Sequence, residues 1–114
     1  MSNADELPFD VRMVRTDEAT VLVFEGDLDL TAVPEAGAAI ERAQSEGVSV
    51  AIDLRGLRFI DSSGLRVILE AQRRAAADGS HLLIAPGEGG VRRVFELSGV
   101  AALIEMVDAP PGAG

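Results

Sequence analysis

Two short apolar runs, TVLVFE at 20–25 and VSVAIDL at 48–54, flank a stretch with a different period. Both runs are strand-sized and rich in β-branched residues. Between them Val33, Ala36, Ala39, Ile40 and Ala43 recur at helical spacing. A helix joining two strands of one sheet is a crossover, so the two strands are expected to run parallel in a right-handed βαβ unit. Thr31 is placed to cap this helix, with Pro34 in the first turn, where a missing N–H costs little, and Gly47 at its end.

The rest of the chain fits around that unit. FDVRMVRT at 9–16 puts Phe9, Val11 and Met13 on one face, and the turn at 17–19 makes a hairpin with the run at 20–25. RGLRFI at 55–60 leads into DSSG at 61–64. From Ser63, the residues Leu65, Ile68, Leu69, Ala75 and Ala76 mark a second helix ending near Gly79. HLLIAP at 81–86 reads as a strand. GGVRRVFELSG at 89–99 reads as a short helix with Val91, Val94, Phe95 and Leu97 apolar, and ALIEMV at 102–107 as the last strand. The order β β α β α β α β predicts an α/β fold, a mixed β-sheet covered by helices. With 114 residues, 47% of them hydrophobic, the chain suits one domain with one core at about 9–107, and DAPPGAG at 108–114 reads as a flexible tail.

Composition narrows the chemistry. There is no cysteine, so neither a disulfide framework nor thiol catalysis is expected. Net charge is −9, which disfavours nucleic acid and anionic lipid and suits a basic protein partner. All ten basic residues are arginine. Without lysine there is no Schiff base, no P-loop and no Ser-Lys dyad. No apolar run reaches the ~18 residues that span a bilayer. The acidic MSNADELPF at the start has no signal-peptide core, so a cytoplasmic location is expected.

The segment RFIDSSGLRVI at 58–68 raises the functional question. Asp61, Ser62 and Ser63 are all good N-cap residues in front of a helix, and any one of them suffices. They also lie past a strand's C-terminal end, the rim of an α/β sheet where sites usually form. A catalytic serine needs a base, and His81, the one histidine, starts a later strand and is expected at the opposite rim. There is no G-x-S-x-G elbow either. Asp27, Asp29, Asp53 and Asp61 lie near strand ends, but a receiver-type acidic site also needs a lysine, and EGDLD reads better as a solvated turn. GEGG at 87–90 lacks a phosphate-loop pattern and reads as a loop. No metal and no cofactor are expected. A serine at a helix start does tolerate phosphate, because free N–H groups and the helix dipole favour an anion there.

FEGDLDLTA, AIDLRGLRFIDSSGLRVILEA and LIAPGEGGVRRVFELSGV, in this order and spacing, resemble the STAS domain, specifically the bacterial anti-sigma factor antagonists. The resemblance covers roughly residues 9–107 and implies a STAS-like fold in a non-enzyme. It also implies a partner: an anti-sigma factor that is itself a serine kinase, phosphorylates the antagonist with ATP and so switches it off, until a phosphatase restores it. The family's acceptor serine falls on Ser63, and Asp61 and Ser62 match its neighbours. Asp29 matches an acid of the family's first loop that touches the kinase or nucleotide. Gly64 serves either close approach to the partner or tight helix–strand contact. STAS subunits of stressosome-type scaffolds or lipid-transport complexes are the alternative. Family members often end in a further helix, which DAPPGAG cannot supply.

Overall fold

The computed structural model describes residues 8–47 and 49–112. Val48, expected in the third strand, residues 1–7 of the acidic start, and the last two residues of the expected tail lie outside the described residues.

The elements are β1 (Asp10–Arg15), β2 (Thr20–Leu28), α1 (Val33–Ser45), β3 (Val50–Ile60), α2 (Ser62–Asp78), β4 (Leu82–Ala85), α3 (Gly90–Ser98) and β5 (Glu105–Met106), with 3-10 turns at Leu30–Ala32 and Val100–Leu103. The five-stranded sheet has the order β1-β2-β3-β4-β5. β1 pairs antiparallel with β2, and the other pairs are parallel. The expected mixed sheet is therefore the observed one.

Strand alternation builds the core. Leu22 and Phe24 of β2, Ile52 and Leu54 of β3 and Ile84 of β4 are fully buried on the helix-covered face. α1 meets them with Ala36, Ile40 and Ala43; α2 meets them with Leu65, Ile68, Ala71 and Ala75. Phe9 packs edge-on against Phe24, with ring centroids 5.1 Å apart, and closes the β1 end.

Four details differ from expectation. α1 is capped by way of Asp29, not Thr31: the Asp29 carboxylate holds the 3-10 turn Leu30–Ala32, which runs directly into the helix. β3 does not stop at 54 but continues to Ile60, because residues 56–60 pair with β2 across two register shifts. Leu97, one of the four apolar residues that mark α3, is 77% exposed. Val91 and Phe95 define the buried face, and Leu97 sits about 200° round the helix from Phe95. Finally, the last strand shrinks to Glu105–Met106, since Val100–Leu103 turns as a 3-10 segment. Beyond it Pro110 is buried, and Pro111 and Gly112 lie along the other face of the sheet beside Val21, Val23 and Asp53.

Candidate functional site

Past Asp53, β3 leaves β4 and pairs with β2 alone. The result is a two-stranded arm that ends where Leu28 faces Ile60. The chain turns there: the Asp61 N–H donates to the Leu28 carbonyl at 3.3 Å, and α2 starts at the next residue.

Asp61 is the N-cap. Its backbone is extended (φ −111°, ψ −173°), its Oδ1 accepts the Gly64 N–H at 3.0 Å, and its carbonyl accepts the first helical N–H, from Leu65, at 3.0 Å. Of three cap-competent residues the acid takes the role, leaving both serines in the first turn. Neither hydroxyl has a hydrogen bond among the described residues. Ser62 is exposed and Ser63 half-buried. With the Gly64 N–H capped, the Ser62 and Ser63 N–H groups remain without an intrahelical partner, so the two hydroxyls sit beside free donors at the positive end of a long helix.

Gly64 is buried and close-packed, as the tight-contact role requires. A β-carbon there would lie 2.6 Å from the Leu28 carbonyl oxygen, 2.8 Å from Ile60 Cγ1 and 2.9 Å from Leu28 Cγ. It is tight helix–strand contact that requires glycine. Gly64 serves the site by seating the first turn of α2 on the arm.

The acids of this rim are differently committed. Asp29 Oδ1 accepts from the Thr31 N–H at 3.0 Å, the Thr31 hydroxyl at 2.7 Å and the Ala32 N–H at 3.3 Å. The Thr31 hydroxyl is the main reason its carboxyl lies below the usual aspartate range; partial burial opposes the shift, and the backbone N–H groups add to it. Asp27 is paired in two-bond fashion with Arg58, at 3.1 and 3.0 Å. Asp53 does not join them: it sits between Val23 and Ala85 in the middle of the sheet, bound to the Arg55 guanidinium at 2.9 and 3.0 Å. No cluster of possible metal ligands occurs among the described residues.

His81 lies at the other end of the strands. Its carbonyl accepts from Val50, the first residue of β3, and its Nε2 is 2.7 Å from Glu105 Oε1. α2 starts after the last residue of β3. No imidazole therefore faces the serines.

Two rim residues were not picked out from the sequence. Leu30, just past β2, is 69% exposed, and Phe59 is 48% exposed. The register shift between Gly26 and Asp27 leaves Arg58 and Phe59 consecutively exposed, a break in alternation that the sequence does not announce. The usable signal was Leu30 itself, a large apolar residue inside an acidic turn.

With this geometry in place, comparison with known proteins is informative. The family model described as "Mlab, STAS domain" matches residues 11–107. The chain is 34% identical over 94 residues to the anti-sigma F factor antagonist of Lysinibacillus sphaericus, covering 81% of this chain and 80% of that protein. The Bacillus cell fate determinant SpoIIAA, an anti-sigma factor antagonist, is 30% identical and superposes with a TM-score of 0.66 unphosphorylated and 0.64 phosphorylated. Those alignments cover 90% of both chains in the first case, and 91% of this chain and 93% of SpoIIAA in the second. An anti-sigma factor antagonist from Mycobacterium paratuberculosis shares the fold at a TM-score of 0.79, with 19% identity over 96% of this chain and 92% of its own. The chain belongs to the STAS domain family, among the bacterial anti-sigma factor antagonists.

Proposed function

We propose that this protein binds an anti-sigma factor with serine kinase activity, releases the sigma factor that it holds, and is switched off when the kinase phosphorylates Ser63. It is a regulatory binding protein of the cytoplasm and not an enzyme, and a phosphatase returns it to the active form. The observation that carries the reading is the division of labour at the start of α2. Asp61 holds the cap, so Ser63 keeps an uncommitted hydroxyl beside free backbone donors. SpoIIAA, which shares 30% identity with this chain, exists in a phosphorylated form, and this supports a phosphorylation switch here.

In this reading Ser62, Asp61 and Asp29, all at the same rim, contribute to the contact surface around the acceptor. The proposed switch is local charge. A phosphate brings roughly −1.5 to −2 charges and meets the helix dipole and free N–H groups, so the fold accepts it. The partner surface, fitted to a neutral hydroxyl at an already acidic rim, then meets a bulky dianion. Repulsion and desolvation weaken binding without unfolding.

The test is incubation with a cognate anti-sigma factor kinase and ATP, followed by peptide mass spectrometry. One phosphate per chain on Ser63, lost in Ser63→Ala, is the expected result. Phosphate confined to Ser62, or no incorporation by a kinase that binds the chain, overturns the assignment.

A further inference from the structure

One groove on the surface starts at the acceptor's neighbour and leads away from it. Ser62, Leu65, Arg66, Leu69, Glu70, Arg73 and, from the 3-10 turn after α3, Val100 line a hollow of about 330 Å³. The α2 residues form a straight stripe, because positions three and four apart lie on one helix face. From Ser62 to Arg73 it extends roughly 16 Å at ~1.5 Å per residue, about three turns. Its floor is apolar: Leu65 and Val100 are nearly buried and Leu69 is half-buried. Leu103, three residues after Val100 in a 3-10 turn, falls on the same face and is 61% exposed.

The rim is the informative part. Arg66 and Arg73 are exposed, and neither has a hydrogen bond or ion pair among the described residues. Glu70 between them is exposed and ties up neither. Five of the other eight arginines are partnered, Arg15 with Glu46, Arg55 with Asp53, Arg58 with Asp27, Arg74 with Gln44 and Arg92 with Glu96; Arg12, Arg42 and Arg93 also stand unpaired among the described residues, but on three separate elements, whereas Arg66 and Arg73 share one helix face. On a chain of net charge −9, two unpaired guanidinium groups flanking an apolar floor mark a surface complementary to carboxylates.

We infer that this groove receives an acidic, amphipathic segment of the anti-sigma factor. The inference rests on the function proposed above and adds a second contact to it. The segment's apolar side chains cover Leu65, Leu69 and Leu103, and its carboxylates meet Arg66 and Arg73. The groove begins at Ser62, so one partner reaches the acceptor and the groove together.

The experiment is calorimetric titration with the purified anti-sigma factor from the same genome, at low and moderate salt. Four proteins are compared: wild type, Arg66→Glu/Arg73→Glu, the milder Arg66→Gln/Arg73→Gln, and Arg12→Glu/Arg42→Glu as a control of equal charge change on exposed arginines of β1 and α1. Thermal melts establish that each is folded; if the reversal variant is not, the neutralised one decides. The groove reversal is expected to weaken binding by roughly tenfold or more and to flatten its salt dependence, the neutralised pair to fall between, and the control to change it less than about threefold. Equal losses in the groove and control variants, or wild-type affinity in folded groove variants, overturn the groove. Absence of binding by the wild type overturns the functional reading itself, and the groove's occupant with it.

Discussion

Gly64 sits so close to Leu28 that a β-carbon would stand 2.6 Å from the Leu28 carbonyl oxygen. That oxygen also accepts the Asp61 N–H, so it is held in place and cannot yield. The end of β2 and the first turn of α2 are thereby locked together, which fixes the serines relative to the arm. Gly64→Ala is therefore expected to destabilise the protein by about 1–3 kcal/mol, as overpacking of a rigid contact does. Denaturant unfolding measures it, and unchanged stability would mean that the helix start stands off the arm.

Asp61 is expected to separate capping from charge. Asp61→Ala removes the acceptor of the Gly64 N–H and should cost about 1 kcal/mol. Asp61→Asn keeps a side-chain oxygen at the cap and should retain most of the stability, while removing one negative charge beside Ser63. Equal losses in the two variants, measured by thermal melting, would show that the charge and not the cap matters there.

The overall architecture was legible because Leu22, Phe24, Ile52 and Ile84 announce strands, and the apolar spacing of α1 and α2 announces helices between them. The details that escaped depend on geometry that a one-dimensional pattern does not carry. Asp61, Ser62 and Ser63 are chemically interchangeable as caps, and the backbone at Asp61 decides among them. Thr31 looked like a cap because the 3-10 turn held by Asp29 adds one turn ahead of α1. RGLRFI did not read as strand, since Gly56 and two arginines interrupt it and the register shifts against β2 break its alternation. The same shifts expose Phe59, an aromatic at the rim that the sequence pattern does not single out. The DSSG motif itself was readable, but that Gly64 is buried against Leu28 was not.

The Asp29 carboxyl lies below its ordinary range because the Thr31 hydroxyl and the backbone of the following turn favour its charged form. A carboxylate with a depressed folded pKa contributes stability that is present above the unfolded pKa and lost as pH falls through the folded one. Wild type should thus lose more stability between about pH 5 and pH 3 than Asp29→Asn, which caps without titrating. Parallel acid-side curves from thermal melts would contradict this.

The central claim is that phosphate on Ser63 changes recognition and not the fold. The phosphorylated protein is expected to keep its helical circular dichroism and its cooperative melt. The most direct measurement is calorimetric affinity for the anti-sigma factor, with unmodified and Ser63-phosphorylated protein compared in the same buffer. Binding should weaken by about 1–3 kcal/mol, or roughly five- to 150-fold, with Ser63→Asp in between because it carries less charge and fewer acceptor oxygens. Equal affinity of the two forms would contradict the account.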